Sequence, residues 1–513
     1  MKYIPYFLIC SGLVLGACKK DFVTRYPQGQ VNEGNFFKTT ADFQEALAGA
    51  YGPLRDAANV AFYMEEMRSD NTHYDYNQKD RGGATSEQLS DFLDNSANPT
   101  ILALWQADFM GIQRTDVVLD KMATPPDDMT DSVKNQIIGE AKALRAHYYF
   151  ELVRCFGALP LYLHAVTDPK SAIVNRSPVD TVYAQIVSDL TDAVSKLSPP
   201  VFPQSGRVTK GMASTELGMV YLTLHQYDKA TPLFQSVTQM GYSLLPKYAD
   251  VFDPANKNSK ESIFEVQYKT GTDGQASQFI YDFIPVTPNT TNILGAQYNN
   301  TAGGWNTPTD DILHSYEKGD SRLDASIGVV KGKLDDQTDF QPDGVISILD
   351  ADTVAEGGEL YKRFVKKQFH LPLKTALIYN TDDDWPVYRY ADALLMLAES
   401  LNEQGQPGAA LPFLNQVRQR AGLTPSNVTD QSALRDTIAH ERRIELAFEN
   451  KRWFDLVRTG KAISVMTAYG IIQKQTLPYL LPQSYNVTEN KLIYAVPSRE
   501  VQVNPGLGQN PGY

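Results

Sequence analysis

The sequence predicts a mainly α fold, in which tetratricopeptide-like helix pairs form a scaffold that carries an irregular, partly β inserted region. Apolar residues recur at helical spacing along much of the chain. Two distant segments share one helix-pair signature, and a central stretch changes to alternating, β-branched residues between loops rich in Gly, Asn and Pro. With 513 residues, the chain is long enough to bury a large core.

The start of the chain is predicted to direct export and anchoring. Residues 1–17 combine a positive start with an apolar run that is too short to span a bilayer, which is typical of a signal peptide. A Leu-Gly-Ala triplet directly before Cys18 resembles a bacterial lipobox. Cleavage there would leave Cys18 to carry the lipid and residues 18–35 as a tether. A chance cysteine behind an ordinary secretory signal is the alternative.

Cysteine content and charge exclude several classes of protein. Once the signal peptide and Cys18 are set aside, Cys155 is the remaining cysteine of the sequence, so no intramolecular disulfide is expected. Its apolar, helical surroundings predict a small core residue. The formal net charge is −13 and no Lys/Arg-rich run occurs, which excludes nucleic acid as an expected partner.

The helical scaffold is predicted over residues 36–254 and 385–465. A polar stretch at 68–100 is predicted to be a long loop. Helices are predicted from near Thr40 and at 101–121, 133–155 and 179–197, of which the last two would pack as a pair.

The helix-pair signature occurs at two places in this scaffold. Small residues stand twelve positions apart in both, at Gly218 and Ala230 in one segment and at Ala398 and Ala410 in the other. Larger apolar residues surround each small residue. We therefore expect the small residues to lie where two antiparallel helices touch closely.

The inserted region is predicted over residues 255–384. Residues 262–268 alternate and are rich in β-branched and aromatic types, which predicts a strand. Long loops follow it, and loops on a rigid scaffold are where binding surfaces concentrate.

Several stretches match the motifs of one protein family. They are GEAKALRAHYYF at 139–150, FGALPL at 156–161, VYRYADALLM at 387–396, LNQVRQRAGL at 414–423, ERRIELAFE at 441–449, RWFDL at 452–456 and QNPGY at 509–513. In this order they resemble the SusD/RagB family, with residues 36–513 as one SusD-like domain. The central region, roughly 270–380, matches little of the family pattern.

The resemblance implies a function. It implies a lipoprotein anchored to the cell outer membrane and exposed at the surface, which captures oligosaccharides for a SusC-like TonB-dependent transporter and is not an enzyme. A RagB-like protein that captures peptides is the alternative. A surface glycosidase and a pure assembly scaffold are weaker ones.

A helix predicted over 438–458 is dense in charge. Glu441, Glu445 and Glu449 would share one face. Paired carboxylates can hydrolyse glycosides, but a partly buried ion-pair network is the favoured interpretation. Four arginines are close enough in sequence to neutralise the glutamates: Arg442, Arg443, Arg452 and Arg458.

No metal or cofactor is expected from the sequence. The seven histidines show no metal-ligand spacing, and no nucleotide-binding loop or nucleophile elbow occurs. The acidic run at 382–384 could bind calcium, but a solvated loop is the favoured interpretation.

Two loops combine the residue types that sugars require, aromatic faces for C–H stacking and planar polar groups for hydroxyls. One is 71–77, with Arg81 after it, and the other is 297–306. The predicted ligand-binding residues, chosen by type and loop position, are Tyr74, Tyr76, Arg81, Tyr298 and Trp305.

Overall fold

The structure is a computed structural model that describes residues 36–79, 81, 83–298, 301–352 and 358–513. The predicted signal peptide, Cys18 and the tether lie outside the described residues. The helices are α1 Thr40–Glu65, α2 Ala84–Ser90, α3 Pro99–Lys121, α4 Asp131–Phe156, α5 Val179–Lys196, α6 Lys210–Thr223, α7 Tyr227–Val237, α8 Phe279–Phe283, α9 Thr291–Leu294, α10 Asp310–Ser315, α11 Arg322–Ser326, α12 Tyr390–Glu403, α13 Pro407–Arg420, α14 Gln431–Glu445, α15 Arg452–Arg458, α16 Ala462–Thr476 and α17 Ser498–Val503. The strands are β1 Thr72–His73, β2 Leu159–Pro160, β3 Arg176–Ser177, β4 Ser262–Val266, β5 Thr307–Pro308, β6 Ile327–Leu334, β7 Phe340–Ile346, β8 Glu359–Val365 and β9 Trp385–Arg389.

Polar caps define where the long N-terminal helices begin. The Thr39 side chain accepts a hydrogen bond from the Asp42 amide, and the Asp42 carboxylate accepts one from the Thr39 amide. The Asn98 side chain caps α3 by accepting from the Thr100 and Ile101 amides, directly before Pro99. Such caps satisfy amides that have no partner inside the helix, and proline fits the first helical position.

Packed helix pairs form the scaffold, as predicted. α4 packs on α5, α6 on α7 and α12 on α13. In the α6–α7 pair, a Cβ atom added to Gly218 would lie 2.5 Å from the Phe234 ring. Ala230, Ala398 and Ala410 are fully buried. The predicted role of small residues at the helix contacts is therefore confirmed.

The inserted region is partly β, also as predicted. β6 pairs with β7 on one side and β8 on the other to form an antiparallel sheet. This sheet has its own small core, which includes Tyr281, Val330 and Phe364. At the base of the region, β4 pairs antiparallel with β9, and Ser262 lies opposite Arg389. Because β9 leads directly into α12, this pair ties the inserted region to the scaffold.

Two local predictions are wrong. The stretch 68–100 is not one loop, since it contains β1, which pairs with a distant strand, and the short helix α2. The helix predicted over 438–458 ends at Glu445. Phe448 and Asn450 then adopt φ angles of 67° and 61°, and their amides donate to the Glu66 carboxylate at 2.9 Å. This contact from the end of α1 fixes a turn that spacing within the helix could not reveal.

Candidate functional site

A groove of about 690 Å³ lies where the inserted region meets the helical scaffold. Residues within four stretches line it: 73–76, 307–314, 361–363 and 469–479. The first two stretches are held together by the antiparallel pairing of β1 with β5. The groove is thus assembled from parts of the chain that are far apart in sequence.

A stacked pair of tyrosines forms an aromatic platform in this groove. The rings of Tyr76 and Tyr479 are 4.2 Å apart between centroids and only 7° from parallel. The guanidinium carbon of Arg81 lies 4.3 Å from the centroid of the Tyr76 ring. Arg81 also donates a hydrogen bond of 2.7 Å to Glu87, which fixes its position beside the ring.

Tyr74 supports this platform from behind. Its side chain is buried, with 5% exposure, and its hydroxyl donates to Asp91 at 3.0 Å. Its ring centroid lies 5.8 Å from that of Tyr479 and 4.1 Å from the His73 ring. A ligand in the groove can therefore reach only a small part of Tyr74.

Trp305 lines a second, smaller cavity of about 300 Å³. Asp75 lines both cavities. The Trp305 indole packs edge-on against Tyr63 at 5.2 Å. A Cβ atom added to Gly83 would lie 2.5 Å from the indole, so the glycine makes room for the ring at the start of α2.

The structure brings together four of the five predicted residues. Tyr74, Tyr76 and Arg81 meet at the platform, and Trp305 lies 6.4 Å from the Tyr74 ring. Tyr298 lies apart and lines neither cavity; it packs on Tyr281, and its hydroxyl donates to the Ala376 carbonyl at 3.0 Å. Two neighbours in the predicted second loop, at 299 and 300, are outside the described residues.

Sequence reasoning missed Tyr479, which supplies half of the platform. It follows α16 after a short Leu-Pro segment, and no local pattern distinguishes it from other tyrosines of the chain. Only the pairing of distant segments reveals its position.

The charged groups of the groove are paired. The Lys362 ammonium lies 2.5 Å from the Asp75 carboxylate, and the Arg363 guanidinium lies 2.5 Å from the Asp310 carboxylate. Asp311 is held at 2.5 Å by Arg443, which does not line the groove. Each ion pair also ties one of the four stretches to another part of the chain.

The three glutamates singled out in the sequence lie in a buried ion-pair network. Arg322 donates to Glu441 at 2.6 Å and to Glu445 at 3.1 Å, and Arg389 donates to Glu449 at 2.8 Å. The network is confirmed, but its predicted partners are wrong. The four expected arginines pair elsewhere: Arg442 with Asp392, Arg443 with Asp70 and Asp311, Arg452 with Asp70, and Arg458 with Glu399.

Burial and charge decide what these glutamates can do. Burial alone would raise the pKa of Glu445, but Arg420 and Arg389 hold that pKa at about 2. All three glutamates are at most 1% exposed, and none of them lines the groove. They cannot reach a sugar in the groove, so the network stabilises the fold.

The acidic run at 382–384 is not a solvated loop. Asp383 is buried beside the His370 ring at 2.5 Å, and Asp384 pairs with Lys257 at 2.7 Å. Within the described ranges, no cluster of three His, Cys, Asp or Glu side chains could hold a metal ion.

Cys155 lies in the core, as predicted, and His147 is buried as well. Cys155 is fully buried, and burial raises the pKa of its thiol well above the usual value. His147 is buried against Glu216 at 2.7 Å. In the part of the chain that the structure covers, no helix combines the length and apolarity required to cross a membrane.

Comparison with known proteins identifies relatives along the whole chain. The SusD family profile matches residues 260–513, and a SusD-like profile described as "starch-binding associating with outer membrane" matches residues 30–222. "SusD-like protein P38" of Formosa agariphila is 28% identical over 544 residues, covering 99% of this chain and 98% of that protein. "Starch-binding protein SusD" of Bacteroides thetaiotaomicron is 22% identical over 438 residues, covering 75% and 74%.

Solved structures share the fold. A "laminarin binding SusD-like protein" has a TM-score of 0.73 and 26% identity, covering 93% of this chain and 100% of that chain. "Surface glycan-binding protein A" from Bacteroides thetaiotaomicron has a TM-score of 0.74 and 23% identity, covering 93% and 100%. The mainly α architecture with small sheets is therefore common to these proteins.

Proposed function

Because this chain belongs to the SusD family, we propose that it is a surface lipoprotein that captures glycan chains by binding and catalyses no reaction. One observation carries this proposal, the stacked pair of Tyr76 and Tyr479 in an open groove. Aromatic faces pack against the C–H faces of sugar rings. The neighbouring carboxylates, hydroxyls and amides can bond to sugar hydroxyls.

The ligand site consists of the platform and the cavity beside it. Tyr76 and Tyr479 contact the sugar rings, and Trp305 contacts the glycan in the smaller cavity. Arg81 and Tyr74 hold the platform in place. Tyr298 is a separate candidate, because it lies outside both cavities. An open groove of this kind favours weak binding. Weak binding means rapid release, because differences in affinity between related complexes lie mostly in the dissociation rate.

Two further parts of the proposal concern the cell. Cys18 carries lipid that anchors the protein to the outer membrane, and a SusC-like TonB-dependent transporter receives the captured glycan. Names of relatives support glycan capture at an outer membrane. Fatty-acid labelling of Cys18 tests the anchor, and co-purification of a transporter from outer membranes tests the partner.

The platform is tested by titration calorimetry on the chain without residues 1–18, against a panel of oligosaccharides and peptides. We expect Tyr76→Ala and Tyr479→Ala each to weaken glycan binding by about tenfold or more, since stacking on an aromatic ring contributes about 1–3 kcal/mol in a comparable setting. Tyr227→Ala, at a partly exposed tyrosine of α7, is the matched control and should bind as the wild type does.

Two results would contradict the proposal. Unchanged glycan affinity in both platform variants would remove the site but not glycan binding itself. Binding of peptides without any binding of glycans would replace glycan capture by peptide capture. A loss of affinity in Tyr298→Ala would add a contact outside the groove.

A further inference from the structure

The cations that line the groove are already occupied by carboxylates of the groove. The described residues that line the groove include one lysine, Lys362, and one arginine, Arg363. Lys362 pairs with Asp75 and Arg363 with Asp310, each at 2.5 Å. Both cations are at least two-thirds buried, with side-chain exposures of 26% and 30%. An acidic group of a ligand would therefore meet each cation with a carboxylate already beside it.

This arrangement opposes binding of acidic chains. Carboxylate and sulfate groups are recognised by charge-assisted hydrogen bonds from arginine or lysine. Lys362 or Arg363 could supply one only with Asp75 or Asp310 beside it, so a carboxylate of the groove would compete with the acidic group of the ligand and repel it. The formal charge of −13 adds a long-range repulsion of polyanions.

The same groove suits uncharged sugars. Asp310 and Asp311 remain 73% and 44% exposed, so their carboxylate oxygens can accept hydrogen bonds from sugar hydroxyls. The stacked rings of Tyr76 and Tyr479 offer an apolar contact surface beside them. From this pairing of charges we infer that the groove selects uncharged glycan chains and rejects chains that carry carboxylate or sulfate groups. The inference rests on the proposed glycan function.

The inference is tested by comparing neutral and acidic ligands of equal length. Calorimetric titrations would use gluco-oligosaccharides with β-linkages and with α-linkages as neutral probes and oligogalacturonate as the acidic probe. We expect the wild type to bind a neutral probe at least about tenfold more tightly than the acidic one.

A single substitution tests whether ion pairing is the cause. Asp310→Asn releases Arg363, and we expect it to strengthen binding of oligogalacturonate by roughly tenfold, a gain that should weaken with added salt. Glu403→Gln makes the same change in net charge on the scaffold, where it releases the exposed Arg435. This control should not bind the acidic probe more tightly.

Each outcome decides the question. Wild-type preference for oligogalacturonate overturns the inference but leaves glycan capture standing. The absence of a gain in Asp310→Asn, or an equal gain in Glu403→Gln, shows that pairing within the groove does not set the selectivity, and this also overturns it. Binding of neither class of probe removes the proposed function, and the inference with it.

Discussion

At the residue scale, folding removes the carboxyl group of Asp282 from water. It is 7% exposed, and one of its carboxylate oxygens has no hydrogen-bond partner. Its backbone carbonyl accepts the Trp305 amide at 2.9 Å, so it lies directly behind the smaller cavity. Burial raises the pKa of this carboxyl from 3.8 to about 8. The folded protein therefore keeps a proton that the unfolded chain releases.

The proton on Asp282 makes stability depend on pH. The pKa of Asp282 is higher in the folded protein than in the unfolded chain. Its contribution to the free energy of unfolding is therefore fully present below about pH 4 and is lost as the pH rises toward 8. Asparagine resembles the neutral carboxyl and cannot ionise. We expect Asp282→Asn to unfold with a higher free energy than the wild type at pH 8, by several kcal/mol, because each pKa unit corresponds to about 1.4 kcal/mol.

Urea unfolding measured from about pH 4 to pH 9 checks this prediction over the range in which the proton is lost. Asp336→Asn, at an exposed position, is the control and should follow the wild-type profile. If the Asp282→Asn profile also runs parallel to that of the wild type, Asp282 is not the buried acid described above.

Residue types predicted part of the candidate site and could not predict the rest. Tyr76 and Trp305 were identifiable because aromatic rings among amides in a loop suit sugars. Tyr76 lies beside Tyr479 and Trp305 lies near Tyr74 because β1 pairs with β5 and because α16 leads to Tyr479. These contacts join residues that are far apart in the sequence. Side-chain type carries no information about such pairing.

At the scale of single elements, two glycines in helices have opposite roles. Gly218 in α6 faces the Phe234 ring, where an added Cβ atom would lie at 2.5 Å. Phe234 is fully buried, so the ring cannot move aside into solvent. Gly49 in α1 is exposed, and a Cβ atom there would meet nothing within 4 Å. One glycine allows close packing, and the other only weakens its helix.

These two positions predict shifts of opposite sign. Gly218→Ala should lower the free energy of unfolding by about 1–3 kcal/mol, because overpacking forces buried groups apart. Gly49→Ala should raise it by about 0.5–1 kcal/mol, because alanine favours the helix interior. Thermal denaturation followed by circular dichroism measures both, and a stabilising Gly218→Ala would contradict the described helix contact.

Helix periodicity predicted the elements better than it predicted their ends. The pairs α6–α7 and α12–α13 follow from small residues at fixed spacing, since packing repeats with the helix turn. The end of α14 depends instead on Glu66, which binds the turn after it from a distant helix. Periodicity among neighbouring residues predicts a helix that continues to 458, because it takes no account of contacts from distant parts of the chain.

At the scale of the whole molecule, Arg389 joins parts of the chain that are distant in sequence. Its guanidinium donates to Glu261 at 2.8 Å, to Glu445 at 3.0 Å and to Glu449 at 2.8 Å. These residues stand just before β4, at the end of α14 and in the turn after it. Arg389 itself ends β9, so the inserted region and the C-terminal helices meet at one cation.

Loss of this cation should therefore destabilise the entire fold. Arg389→Met takes one cation away from three buried carboxylates, which keep only Arg420, Arg322 and Lys367 beside them. We expect a loss of about 3–5 kcal/mol in the free energy of unfolding, because one buried negative charge then lacks compensation. Arg435→Met removes an exposed ion pair with Glu403 and should change that free energy by about 1 kcal/mol or less. Urea unfolding compares the two variants, and equal losses would contradict the central role of Arg389.

The platform tyrosines come from an early and a late part of the chain. A sugar that contacts both rings would hold those two parts together, because it binds only when they are side by side. Ligand at one hundred times its dissociation constant adds about 2.7 kcal/mol to the folded state. Binding of a carbohydrate should consequently raise the melting temperature, so heating curves can report which carbohydrate the protein binds without any label.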